Sequence, residues 1–155
     1  MPSLRDQIQM TEGEIAEFLA TEHTLICATI GPRGWPHVMP LRYVMRDREP
    51  WAWTFAKSQK VKNLERDPRA TVLVEAGKTY EELRGVMIET DVELMHDPQV
   101  VRRLGIDLIT KYTPGGRVDP EAIARVEKQA PKRVAMRFVP QRCASWDHRK
   151  LGGGY

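Results

Sequence analysis

Thr54-Phe55-Ala56-Lys57-Ser58-Gln59-Lys60 combines two hydroxyls with two ammonium groups in seven residues. A β-rich run ends at Thr54-Phe55, and a helical pattern starts near Ser58. The first turn of a helix leaves backbone N–H groups free and carries the positive end of the helix dipole. Lys57, Lys60 and Lys62 add charge to that corner, and Thr54 and Ser58 add hydroxyls. The chemistry these residues could do is to hold a phosphate or a similar anion. They could equally form a capped helix with a solvated lysine face, and local chemistry leaves both readings open. The glycine-rich G-x-x-x-x-G-K-[ST] of a nucleotide P-loop is absent. Arg42, in Val38-Met39-Pro40-Leu41-Arg42-Tyr43, joins the corner only if its strand runs beside the strand ending at Thr54. The short turn at 47–50 predicts that pairing.

Other reactive patterns are excluded. The four histidines, at 23, 37, 96 and 148, show neither H-x-x-x-H nor H-E-x-x-H spacing, so no metal site is expected. Ser145 stands near Asp147-His148, but no G-x-S-x-G elbow accompanies it. Cys27 and Cys143 form no C-x-x-C pair, and Cys27 sits in the apolar run Leu25-Ile26-Cys27-Ala28, as a small buried hydrophobe does. Of the four tryptophans, 35, 51, 53 and 146, only Trp146 lies in a polar tail, which suits contact with a ligand or a second subunit. Trp51 and Trp53 alternate with Ala52 and read as packed residues. A basic nucleic-acid barrel would instead want such aromatics exposed on its charged face.

The elements that must position these residues follow from the pattern of the chain. Its 155 residues fit one domain over 1–155, with a flexible or docking arm at 1–10 and a tail at 147–155. Thr11 and Glu14 have capping-box spacing, which predicts a helix at 12–21. Strands are predicted at 23–30, 35–46, 51–55, 70–76, 84–96 and 133–139. Further helices are predicted at 58–66, 98–112 and 119–128. Short turns between the first three strands predict a meander. Helices interrupt the strands rather than alternate with them, so the expected class is α+β, a six-stranded antiparallel barrel. The net charge of +3 is too small to imply nucleic acid. Yet the segment from Arg33 to Lys60 holds six Lys/Arg against two acids, which suggests an anionic ligand. No apolar run has membrane-spanning length, and the start carries no apolar h-region, so a cytoplasmic protein without membrane contact is expected.

The stretch Val38-Met39-Pro40-Leu41-Arg42, Thr54, and Lys57 to Arg69 resembles the pyridoxamine 5′-phosphate oxidase-like split barrels. That superfamily includes flavin and deazaflavin (coenzyme F420) oxidoreductases. The shared pattern is a strand with Pro, a strand ending in Thr, then Ser-x-Lys-x-x-x-Leu-x-x-Asp/Asn-Pro. The resemblance implies a six-stranded split barrel, a homodimer, and a cofactor at each end of the interface. It implies that Arg42, Thr54, Ser58 and Lys60, with Lys57 beside them, hold the cofactor phosphate. Met39, Pro40 and Leu41 would lie along the ring. Tyr80-x-x-Leu83-Arg84 would reach the cofactor from the second subunit, and Trp146 matches the tryptophan near the family's C-terminus. Two departures separate the chain from the true oxidases. Gln59 stands where they carry Arg, and Asp147-His148-Arg149-Lys150 does not reproduce their Arg-x-His-x-Arg. The resemblance therefore implies an F420-dependent, alternatively FMN-dependent, oxidoreductase acting on a small organic substrate. The competing reading is a non-catalytic flavin, deazaflavin or haem binder on the same barrel. Because hydride transfer belongs to the cofactor, the lack of a catalytic dyad argues for neither.

Overall fold

The computed structural model describes residues 1–153. Gly154 and Tyr155, the end of the expected tail, lie outside the described residues. The strands are β1 (Leu25–Ile30), β2 (Pro36–Leu41), β3 (Val44–Arg46), β4 (Glu49–Phe55), β5 (Arg69–Ala76), β6 (Arg84–Met95) and β7 (Arg133–Asp147). The helices are α1 (Leu4–Ile8), α2 (Glu12–Thr21), α3 (Gln59–Arg66), α4 (Pro98–Tyr112) and α5 (Pro120–Gln129). The class is α+β, as expected, but the count is seven strands rather than six.

One difference produces that count, and a second lengthens a strand. The expected strand 35–46 breaks at Arg42-Tyr43 into β2, which pairs with β1, and β3, which pairs with β4. The first three expected strands therefore do not form one meander. The sheet order is β2-β1-β5-β6-β7-β4-β3, all antiparallel, and the ladder is not closed. Its two edges, β2 and β3, are joined by only two residues, so Leu41 and Val44 cannot part by more than about 11 Å between Cα atoms. The second difference is that β7 continues to Asp147, through the start of the expected tail. Pro140 does not end it, because the register against β6 shifts at Glu89/Thr90 and absorbs one extra residue. A bulge is where a strand tolerates proline, and it bends the strand. Past Arg137, β7 no longer pairs with β4.

The helix starts obey their caps. Thr11 Oγ1 accepts from Glu14 N at 3.2 Å, and Thr11 N donates to Glu14 Oε2 at 3.1 Å. Asp97 and Asp119 cap α4 and α5, each followed by Pro at the first helical position. The arm is not featureless: Ser3 caps α1, and α1 lies against β7 and the turn at 148–151.

Alternation places the core. On β1 it is Leu25, Cys27 and Thr29 that turn inward, and on β5 Ala70, Val72 and Val74. All but Thr29 meet Phe18, Leu19, Leu64, Met136 and Phe138 in the main cluster. A second cluster on the other face of β4 and β7 holds Val101, Leu104 and Leu108 of α4 against Ala135, Trp51 and Trp53. Gly105 permits that packing: a Cβ there would lie 2.5 Å from Trp53 Cζ3. Trp51 and Trp53 are thus packing residues, as their alternation predicts.

Candidate functional site

The β4–α3 corner is built as the sequence predicts. Thr54, next to last in β4, stands opposite Val134 of β7. The chain then turns, with Ser58 N donating to Phe55 O at 3.0 Å, and the Ser58 hydroxyl caps α3 by accepting from Val61 N. No acid stands in the first turn of α3. Lys57 is exposed, while Lys60 is only 5% exposed. The Lys60 ammonium meets the Thr54 hydroxyl at 3.3 Å. Burial pulls its pKa down, and the neighbouring Cys27 thiol is pushed up to about 12 by its own burial. A buried ammonium whose bonding partner is a neutral hydroxyl is poorly compensated. That is the electrostatic condition under which an anion is welcome.

Asn63 escaped the sequence reading. It is fully buried, donates to Thr29 Oγ1 at 3.0 Å, and accepts from Gln59 Nε2 at 2.9 Å. It ties α3 to β1 and so fixes where the corner sits. Its place between Val61 and Leu64, on the inner face of a helix, is the signal that could have found it.

Arg42 is not brought to Thr54 by a shared ladder. It lies in the break between β2 and β3, and its guanidinium stacks over Tyr112 at 4.9 Å. The expected pairing exists only where Val44 to Arg46 meets Glu49 to Trp51. Tyr112 pins the break: its hydroxyl accepts from Tyr43 N at 2.9 Å and lies 2.5 Å from His23 O. The buried Tyr43 hydroxyl donates to Leu19 O. Lys111 closes the cluster, its ammonium 3.8 Å from the centre of the Tyr43 ring and without a hydrogen-bond partner. Burial lowers the Lys111 pKa to about 8, against a smaller opposing pull from Glu22.

Met39, Pro40 and Leu41 stand opposite Cys27, Ile26 and Leu25 of β1. They belong to an edge strand that is open to solvent. Met39 is 45% exposed, Val38 54%, and Trp35, just before the strand, 73%.

Arg84 and Trp146 form a separate group at the other end of β6 and β7, where Arg84 faces Asp147 and Gly85 faces Trp146. Gly85 is required there, since a Cβ would lie 2.4 Å from Trp146 Cζ2. The Arg84 guanidinium lies 3.8 Å from Glu22 and over the Phe18 ring. From Val134, opposite Thr54, to Trp146 is twelve residues, about 40 Å of strand path. The predicted residues therefore fall into two groups within one chain: Thr54, Ser58 and Lys60 at one end, Arg84 and Trp146 at the other. Among the described residues, no three His, Cys, Asp or Glu gather as metal ligands, and no helix is long and apolar enough to cross a membrane.

Residues 11–147 match the family model of pyridoxamine 5′-phosphate oxidase. The chain belongs to that family. No curated protein matches it. A solved structure of a conserved hypothetical protein, Rv2991 of Mycobacterium tuberculosis, is 43% identical, with a TM-score of 0.90 over 99% of this chain and 95% of that one. A solved F420 reductase is 20% identical, with a TM-score of 0.67 over 87% of this chain and 98% of that one. The haem storage protein HutZ of Vibrio cholerae is 18% identical, with a TM-score of 0.65 over 88% and 93%. The last two share the fold. The two departures from the oxidase pattern also have structural counterparts. Gln59 is engaged with Asn63, and the Arg149 guanidinium is held by Asp147 at 2.7 Å rather than left free.

Proposed function

We propose that this chain forms a homodimer that binds coenzyme F420, or alternatively FMN, between its two copies and serves the reduction of a small organic molecule. The observation that carries the proposal is the split of the site along β7. Thr54, Lys57, Ser58 and Lys60 offer an anion site at one end, with a buried ammonium that has no acid beside it. Arg84 and Trp146 lie twelve residues further along the strand, beyond its bulge. Two copies related by a twofold axis can bring one group of each together.

The exposed strand β2 supports the same reading. Cross-strand rows on its outer side run Val38–Ala28–Thr71 and Pro40–Ile26–Leu73–Met87 over four strands. Their members are half-buried or exposed. An apolar face of this kind is what a subunit contact covers.

The residues fit a flat ring with a phosphate tail. Lys60, Thr54, Ser58 and the first turn of α3 would hold the phosphate, with Lys57 adding charge. The open backbone of Met39 to Leu41 would lie along the ring, with Trp146 of the second copy beside it. Arg42, stacked on Tyr112, lies within reach of the same strand. The bound cofactor supplies the hydride, and the protein's part is to bind, orient and exclude water.

Parallel fluorescence titration of the cofactor-free protein with F420 and FMN tests this, with light scattering for the oligomer. The expected result is a dimer that binds the deazaflavin. Binding of FMN alone assigns the flavin alternative, and binding without turnover of any substrate assigns the non-catalytic one. Binding of neither contradicts the proposal.

A further inference from the structure

A cavity of about 840 Å³ lies between the N-terminal arm and the end of β7. Its size is that of a small-molecule site. The walls are apolar and adaptable: Met10 and Ile15 from the arm and α2, Met87 from β6, and the Trp146 indole. Methionine thioethers and an indole suit a flat, polarizable ring. Two guanidinium groups, Arg5 and Arg142, line the same space.

The charges decide what such a ring must carry. Neither Arg5 nor Arg142 has an ion-pair partner among the described residues. Glu89 faces Arg142 across the strands but makes no ion pair with it. Asp6, the acid in the lining, is already engaged by Ser3, whose N and Oγ donate to it at 3.0 and 2.7 Å. Those bonds hold the Asp6 carboxyl below its usual range. The His148 ring is held against the Tyr80 carbonyl at 2.8 Å. Arg5 also helps to hold the Asp6 carboxyl down, so Arg142 is the uncommitted forked cation over the apolar floor, with Arg5 beside it. Guanidinium groups of this kind recognise a planar acid through paired hydrogen bonds, and they repel a cation.

The geometry points to this cavity as a site for a flat apolar molecule carrying one acidic group, with Arg142 and Arg5 as partners of that group. The inference rests on the proposed function only in making the bound molecule the substrate. The cavity's selectivity is a property of the chain itself.

Two dyes that differ by a single acidic group test it. One is 8-anilinonaphthalene-1-sulfonate, and the other its uncharged analogue N-phenyl-1-naphthylamine. Cys143 lines the cavity and is exposed, whereas Cys27 is fully buried, so iodoacetamide labelling reads Cys143 alone. The sulfonate dye is expected to bind and to slow Cys143 labelling. Arg142→Gln, and the double variant with Arg5→Gln, should weaken the sulfonate dye about tenfold or more, a loss the size of one charge-assisted contact. The uncharged dye should be nearly unaffected. Unchanged thermal midpoints exclude misfolding as the cause. Equal loss of both dyes, no loss in the variants, or sulfonate-dye binding that leaves Cys143 labelling unchanged overturns the inference. F420 and FMN titrated into the same samples keep the two claims apart. Failure of both cofactors with the dye result intact overturns the proposed function alone, and the reverse pattern overturns this inference alone.

Discussion

Lys60 carries the electrostatics of the β4–α3 corner, because its ammonium is buried against a hydroxyl rather than a carboxylate. Lys60→Met keeps the buried stem and removes the charge. Cofactor affinity should then fall about tenfold or more, while the urea midpoint stays the same or rises, since a desolvated charge is gone. Unchanged affinity would remove Lys60 from the site. The spacing of Ser58 and Lys60 made both residues legible as an anion site. The burial of Lys60 was not legible, because it depends on how Asn63 anchors α3 to Thr29 of β1. Lys111 was invisible for a related reason. It looks like an ordinary lysine at a helix end, and only the Tyr43 ring beneath it gives it a role. Burial lowers its pKa to about 8, so the folded state releases this proton before the unfolded chain does. Between pH 8 and an unfolded lysine pKa of about 10.4 the unfolded state binds this proton more, so the Lys111 contribution to stability rises with pH. The buried Cys27 thiol acts with the opposite sign above an unfolded thiol pKa of about 8.5, so the check is a difference: from pH 7 to 9.5 the urea midpoint relative to that of Lys111→Met should climb above pH 8.

At the scale of elements, the caps and alternations were readable and the breaks were not. Thr11/Glu14, Asp97-Pro98 and Asp119-Pro120 announce α2, α4 and α5. The break at Arg42-Tyr43 carries no such mark, since both residues suit a strand. It exists because the chain must leave the β1 edge to join β4, and Tyr112 of α4 holds it there. Pro140 misled in the opposite direction: it reads as a strand end, but the bulge absorbs it. Two packing predictions belong here. Gly105→Ala should cost about 1–3 kcal/mol in urea unfolding, because the added methyl meets Trp53 and Val126. The β3–β4 turn holds Asp47 and Arg48 at positive φ, 49° and 65°. Replacing Asp47-Arg48 with Asn-Gly should stabilise the protein by about 0.5–1 kcal/mol, as those residues favour that conformation. A lower unfolding midpoint would contradict that reading of the turn.

For the whole molecule, the proposed dimer accounts for two features that one chain leaves open. Strand β2 is exposed, and the two groups of site residues sit at opposite ends of β7. The sequence pattern reached both groups through the resemblance, and within one chain they share no ladder position or hydrogen bond with each other among the described residues. Val38→Lys places a charge in the exposed apolar row. It should yield a monomer by light scattering with weakened cofactor binding and little change in unfolding midpoint. A dimer that persists would move the interface elsewhere.

The shared site is tested most directly by subunit complementation. Lys60→Met and Trp146→Ala each alter a different end of the chain, and each homodimer should bind F420 weakly. After subunit exchange, half of the dimers in an equimolar mixture are mixed, and each regains one intact site. A site shared between subunits gives tight binding at about a quarter of all sites, by twofold statistics. A titration of the mixture that is only the average of the two parents, with no tight component, would contradict it.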